Sequence, residues 1–375
     1  MPWRISSAMS QRHEFVLLAS QPKANMRALC RRFAISSRTG YKWLARFRAA
    51  GVAGLVERSR QPHHSPLRTV PAMEQQVVKL RQQHPAWSGH KLRQRLQDLG
   101  HAEVPSASTI TAILQRHQML DQRESEKHQA WQRFEHPAPN DLWQMDFKGE
   151  FALQQGGRCF PLTIIDDHSR FVPALHACGS VQTAPTQAVL IAVFRRYGLP
   201  TRITCDNGPP WGIANCKYTK LSVWLLRLGI MVSHSRPRHP QTQGKDERFH
   251  RTLNTEVLRY LVPLNLVVCQ QRFDEWRYVY NNERPHQALA MKVPAQRYQP
   301  SSRAYPETLP ALEYGPADVV KTVHRRGHLK FKGREFYLSQ AFAGQQVALR
   351  FTTTDGLLAV YFAQHRIGTI NLKEQ

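Results

Sequence analysis

Three acidic residues stand where a carboxylate is hard to explain as solvated surface. Asp146 lies in the middle of an alternating segment, LWQMDF (142–147). Asp206 closes RITCD (202–206) ahead of an Asn-Gly turn, and Glu247 opens the helical run KDERFHRTLNTEVLRYL (245–261). A charge in a central strand is costly to bury unless it is paired or holds a cation. The C-terminal end of a strand is where sites gather in open α/β sheets, although Asp is also an ordinary first residue of a turn. At ~100° per residue, Phe249, Leu253, Val257 and Tyr260 cluster on one side of the helix as its expected buried stripe. Glu247 shares another edge with Arg251, Asn254 and Leu258, so it is the acid expected to face a site. Asp246 points toward the apolar sector at the helix start, where a carboxylate caps the helix or favours its positive dipole end. Glu256 lies on neither edge.

Asp146, Asp206 and Glu247 meeting at one sheet edge call for a divalent cation with oxygen ligands, Mg²⁺ or Mn²⁺. Two such ions, about 3.5–4 Å apart, clamp the attacking and leaving oxygens of an in-line phosphoryl transfer. Basic residues crowd the third acid: Arg236, Arg238, Lys245, Arg248 and Arg251, with Gln243, His239 and His250 among them. In this chemistry those cations hold a nucleic-acid backbone rather than the carboxylates. Asp166 and Asp167, in TIIDDHSRF, are a competing acid pair, but Asp-Asp-His-Ser is ordinary turn chemistry and is expected to be structural.

The elements that must position these acids follow from periodicity. Residues 10–60 pattern as helices joined by a short AISS connection. Met26, Leu29, Cys30 and Phe33 form one apolar face, and Trp43, Leu44 and Phe47 form that of a helix from about Ser37. Arg38, Lys42 and Arg46 recur on another face of that second helix, the pattern of a helix-turn-helix that enters a DNA groove. A Pro/His-rich linker leads to a second helical unit over 70–122. Leu92, Leu96 and Leu99 line one of its helices, and Ser108 and Thr109 stand near the start of its last, a second candidate DNA-binding element. From 137 to 300 the period becomes that of three strands followed by alternating helix and strand, which implies a mixed sheet with helices on its faces. After a Pro-rich stretch, 315–375 alternates as about five short strands with Gly-containing turns, the pattern of a small all-β barrel.

The 375 residues carry a formal net charge of +25, spread along the chain. Residues 1–136 hold 22 Lys and Arg against 9 acids, 137–300 hold 20 against 12, and 301–375 hold 10 against 6. A chain positive throughout favours a long polyanion as partner. The six cysteines form no CxxC and no zinc-finger spacing, so they are expected to be reduced and mostly buried. No apolar run approaches a membrane span and no secretory signal is legible at the N-terminus, so a cytoplasmic protein is expected.

WQMDF, ITCDNG and QGKDERFHRTL together resemble the three signature blocks of the DDE transposases with a retroviral-integrase core, most closely those of bacterial insertion sequences. YNNERPHQAL, followed by Pro294, resembles the segment that closes that core. GLVERSRQPHHSP, HPAWSGHKLRQRL and PSASTI resemble the paired N-terminal helix-turn-helix units. The resemblance spans nearly the whole chain. It implies an α/β ribonuclease-H-like core with a mixed five-stranded sheet between all-α DNA-binding units and a small β-barrel. It also implies Asp146, Asp206 and Glu247 as the catalytic, metal-binding triad and two Mg²⁺ or Mn²⁺ per site. The implied partners are terminal inverted repeats and target DNA, bound by a dimer or larger homo-oligomer at the bacterial nucleoid. Asp246 stands where the family usually has an apolar residue, and the Asp206-to-Glu247 interval of 41 positions is somewhat long for the family. The alternative is a catalytically inactive DNA-binding protein or repressor descended from a transposase.

Overall fold

The computed structural model describes residues 7–58, 68–120, 135–212, 218–234, 244–260 and 263–373. Arg236, Arg238, His239 and Gln243 lie outside the described residues. The chain divides into two compact units, 1–68 and 69–375.

The first unit is helical: α1 (Ala8–Ala19), α2 (Met26–Arg32) and α3 (Ser37–Ala50). Each helix starts at a side-chain cap. Ser7, Asn25 and Ser36 accept from the backbone N–H of Ser10, Ala28 and Thr39, satisfying donors a helix start leaves open. Phe15, Val16, Cys30, Trp43, Leu44 and Leu55 form its core. Gly40 is what lets α3 come so close to its neighbours, since a Cβ there would lie 2.7 Å from Cys30 Sγ and 2.8 Å from Phe15.

The second unit begins with α4 (Pro71–Gln83), α5 (Gly89–Asp98) and α6 (Ala107–Arg116), packed around Val77, Leu80, Trp87, Leu92, Leu96, Ile110, Ile113 and Leu114. Leu99 does not join that core. The helix ends at Asp98, and Leu99, its C-terminal cap residue, is exposed.

The mixed sheet contains β1 (Leu142–Phe147), β2 (Phe151–Ala152), β3 (Arg158–Asp166), β4 (Ala174–Cys178), β5 (Arg202–Cys205) and β6 (Met231–His234). β1, β3 and β4 form an antiparallel meander, while β5 and β6 add in parallel beyond β1. The two-residue β2 continues the pairing of β1 along β3. Alternation along β1 sorts its side chains. Trp143 and Met145 enter the core beneath α7 (Thr183–Tyr197) and α8 (Lys220–Arg227). Gln144 turns to the opposite face, where its Oε1 accepts from the Asp246 N–H of α9 (Gly244–Glu256). Phe249 and Leu253 of α9 are buried there with Cys269, Phe273 and Tyr280 of α10 (Leu266–Asn282). The expected stripe of α9 ends early: the α-helix stops at Glu256 and Tyr260, in a 3₁₀ turn, is exposed.

The C-terminal segment has six strands rather than about five. β7 (Val319–Thr322), β10 (Gln346–Phe351), β11 (Leu357–Phe362) and β12 (His365–Asn371) make one antiparallel sheet, and β8 (His328–Phe331) pairs with β9 (Arg334–Tyr337). Their shared core includes Val223 and Leu226 of α8, which ties this segment to the mixed-sheet core.

Candidate active site

β1 and β5 run parallel with Gln144 opposite Thr204. Two residues further along each strand lie Asp146 and Asp206, so strand register alone brings two carboxylates to the same end of the sheet. Asp206 is fixed by its turn. Its Oδ1 accepts from the Gly208 N–H at 3.1 Å and its carbonyl accepts from His234 Nδ1 at 2.9 Å. Asp146 Oδ1 accepts only the N–H of Phe147, at 2.8 Å, among the described residues. Burial, and then the negative charge of Asp206, push the Asp146 carboxyl up to about 6. An acid raised in this way by a neighbouring carboxylate favours a divalent cation between the two.

The first turn of α9 adds a third acid, and it is Asp246 whose side chain turns inward. Asp246 is 1% exposed. Its Oδ1 accepts from the Thr163 hydroxyl at 3.1 Å, while its Oδ2 has no hydrogen-bond partner. Such an oxygen costs on the order of 1–3 kcal/mol when left buried and unpaired, and more when charged. Burial first, then Asp146, raise this carboxyl well above its usual range. The expectation that Asp246 caps its helix is therefore corrected: the carboxylate faces the sheet, not the helix N–H groups.

His250, one turn on, places Nε2 2.8 Å from Thr163 Oγ1 and 3.5 Å from Asp246 Oδ2. Burial and the nearby Lys148 lower the imidazole to about 3, so it is neutral and the contact with Asp246 is not an ion pair. Asp146, Asp246 and His250 bring one ligand atom each within 4.8 Å of one another. Glu247 takes the other side of the turn. Its side chain is 60% exposed, with Oε1 4.0 Å from Arg251 Nη2. The structure thus brings Asp146 and Asp206 together, adds Asp246 and His250, and leaves Glu247 facing solvent one residue away. The inward acid had a legible signal, a charged residue in the apolar sector of an amphipathic helix, and His250 stands four residues from it on the same side.

Among the surrounding polar groups, Lys245 is bound to Asp167, with Nζ 2.5 Å from Oδ2 and 2.9 Å from the backbone carbonyl. Burial, then Arg170, lower it to about 8, which leaves it charged at neutral pH. Asp167 also accepts from the His136 N–H and Gln144 Nε2. Asp166 accepts from the Asn140 and Ser169 N–H groups and from the Ser169 hydroxyl. This acid pair is structural, as its turn chemistry suggested. Arg248 and Arg251 project from α9 into solvent. In the first unit Arg38 and Lys42 are exposed on α3 and Arg46 is half-buried, with Lys42 Nζ 4.5 Å and the Arg46 guanidinium 5.1 Å from the Trp43 ring. Ser108 and Thr109 are exposed at the start of α6, where Ser106 caps the helix. A pocket of about 420 Å³, lined by His90, Arg93, Ser106, Ser108 and Thr111, opens beside them.

Comparison with known proteins adds to this geometry. A helix-turn-helix domain matches residues 11–63 and a homeodomain-like domain 39–114. Integrase core domains match 136–240 and 228–294, and the C-terminal domain of the IS481 family transposases matches 318–375. The 39.2 kDa protein of insertion element IS476 from Xanthomonas euvesicatoria is 27% identical over 70% of this chain and 76% of its own length. The 31.7 kDa protein of IS407 from Burkholderia multivorans is 25% identical over 42% of this chain and 55% of its own. Among solved structures, the HTLV-2 integrase catalytic core in complex with magnesium aligns over 43% of this chain and 97% of its own, with 17% identity and a TM-score of 0.34. The simian T-cell lymphotropic virus intasome aligns over 79% and 96%, with 17% identity and a TM-score of 0.39.

Helix-turn-helix segments ahead of an integrase core with paired strand-end acids define a DDE transposase/integrase. The chain is similar to the bacterial insertion-sequence transposases of this type, and its C-terminal strands match the corresponding domain of the IS481 family. No helix among the described residues is long and apolar enough to cross a membrane.

Proposed function

We propose that this chain mobilises an insertion sequence by two successive phosphoryl transfers. Its helix-turn-helix segments bind the terminal inverted repeats. Water attacks the phosphodiester at the element end and releases a 3′-OH. That hydroxyl then attacks a phosphodiester of target DNA, whose own 3′-oxygen departs. The observation that carries this reading is the adjacency of Asp146 and Asp206 at the ends of two parallel strands, where the charge of Asp206 helps raise the Asp146 carboxyl.

Asp146, Asp206 and Glu247 are the proposed catalytic carboxylates and the proposed ligands of two Mg²⁺ or Mn²⁺ ions. The donor set fits hard divalent cations, being three carboxylates, of which Asp146 is half-buried and raised by burial and by the charge of Asp206. When bound, the cations supply Lewis-acid stabilisation of the attacking and leaving oxygens. The protein's own groups do the positioning. The Gly208 N–H orients Asp206, the β1–β3 pairing fixes Asp146, and Glu247 joins from the first turn of α9 by turning its side chain inward from Arg251. Arg248 and Arg251, with Arg236, Arg238 and Gln243 earlier in the chain, are proposed phosphate contacts. Arg38, Lys42, Arg46, Ser108 and Thr109 are proposed contacts to the repeats. Lys245 is proposed for the same DNA face only in exchange for Asp167. Joining two element ends requires two copies or more, so a homo-oligomer on DNA is proposed, acting in the cytoplasm at the nucleoid.

A non-catalytic repressor is favoured by one observation, the solvent-facing Glu247. A strand-transfer assay with end DNA, target plasmid and Mg²⁺ or Mn²⁺ separates the readings. Joined product that EDTA abolishes is expected; sequence-specific binding without product under either metal would favour the repressor.

A further inference from the structure

Beyond the two strand-end acids, one cluster has no role in the reading above. Asp246 and His250 face the interior of the core on the inner side of α9, and Thr163 bridges them, its hydroxyl 3.1 Å from Asp246 Oδ1 and 2.8 Å from His250 Nε2. Thr163 is also the cross-strand partner of Asp146. We infer that Asp246 and His250 are metal ligands, which with Asp146 form a mixed carboxylate–imidazole site for a divalent cation of the Mn²⁺ class. The inference deepens the proposed function and shares Asp146 with it.

Two independent observations support it. The first is separation. One ligand atom from each of the three residues lies within 4.8 Å of the others, and His250 Nε2 is 3.5 Å from Asp246 Oδ2. Ligands each ~2.1 Å from one ion stand roughly 3.0–3.5 Å apart at octahedral to tetrahedral angles. The cluster is therefore close to coordinating spacing and tightens by a small side-chain movement. The second is the orphaned oxygen. Asp246 Oδ2 belongs to a side chain only 2% exposed, has no hydrogen-bond partner, and is the Asp246 oxygen that lies 3.5 Å from His250 Nε2. Thr163 fixes the other oxygen and so leaves Oδ2 free to coordinate. On metal binding, His250 Nε2 leaves the Thr163 hydroxyl for the cation, with the ring proton held on Nδ1.

The ligand types set the preference. Mg²⁺ takes oxygen ligands and retains water, whereas an imidazole moves the preference toward first-row transition ions, among which Mn²⁺ also suits carboxylate oxygen. A core with carboxylates alone has no such bias. The charged groups facing this cluster are Lys148, beyond the end of β1, and Asp206, whose charge reaches Asp146.

The test uses the full chain, without DNA, titrated with Mn²⁺ and followed by electron paramagnetic resonance, with electron spin echo envelope modulation to detect nitrogen in the coordination sphere. The wild type is expected to bind Mn²⁺ with a ¹⁴N coupling. His250→Ala should erase that coupling, and Asp246→Asn should weaken Mn²⁺ binding at least about tenfold, ~1.4 kcal/mol. Circular dichroism checks that each variant is folded, and the wild-type spectrum carries the test by itself if one is not. Absence of a ¹⁴N coupling in the wild type, or unchanged affinity in folded Asp246→Asn, would overturn the inference. Nitrogen-ligated Mn²⁺ without strand transfer would uphold it and defeat the proposed function. Metal-dependent strand transfer with no coupling would do the reverse.

Discussion

Thr163 and Asp246, 83 residues apart in sequence, meet through a 3.1 Å hydrogen bond beneath Asp146. Thr163 also donates toward the Asp146 carbonyl at 3.0 Å, so one hydroxyl serves the strand that carries the first acid and the helix that carries the last. Thr163→Val keeps the shape and removes the donor from a buried carboxylate. It should destabilise the 69–375 unit by about 1–3 kcal/mol, read from denaturant midpoints in EDTA. An unchanged midpoint would mean that the bond contributes nothing.

A second polar link ties α9 to the segment after α10. Glu256 accepts from Arg284 Nε at 2.9 Å and from Trp276 Nε1 at 3.0 Å, and both ionic side chains are 9% exposed. Removing one partner of such a pair strands the other charge, so Glu256→Ala should cost about 3–5 kcal/mol. Replacing both residues by apolar ones should cost much less, and chemical denaturation of the single and double variants decides this.

Lys91 of α5 predicts a pH dependence. Burial, then the Arg284 charge, lower it from 10.5 to about 7. The folded state therefore binds this proton more weakly than the unfolded state. The resulting penalty is full below pH 7 and fades as pH rises toward 10.5, so stability should climb between about pH 7 and 9. Lys91→Met should flatten that slope relative to wild type and raise stability at neutral pH; parallel slopes would contradict the assignment.

Gly208 supports Asp206 by its smallness as well as by its N–H. A Cβ there would stand 3.0 Å from Asp206 Oδ2. Gly208→Ala should shift the carboxylate by a few tenths of an ångström and lower the strand-transfer rate roughly tenfold, within the range misplacement of catalytic groups produces. The melting temperature should stay close to that of the wild type, and equal rates would show that the site tolerates the shift.

How far the sequence revealed this site depended on which physical signal each residue left. Asp146 and Asp206 were legible because an acid inside a strand and an acid at a strand end are both conspicuous, and parallel register then brings them together. The helical elements were legible from period, as with Trp43 and Leu44 on α3. The orientation of α9 was harder. A wheel gives angles between side chains but not the roll of a helix against its sheet, and that roll turns Asp246 inward and Glu247 outward. Lys245 looked like a DNA contact because its partner, Asp167, is 78 residues away. Glu256 gave no periodic signal because its role is set by Arg284 and Trp276 on another part of the fold.

The central claim is that Asp146 belongs to a metal-dependent phosphoryl-transfer site. Its most direct test compares wild type with Asp146→Ala on labelled terminal-repeat DNA with Mg²⁺ or Mn²⁺, scoring end binding and strand transfer in the same samples. The account predicts unchanged binding to the repeats and no cleaved or joined product from the variant. Full strand transfer by Asp146→Ala would contradict it.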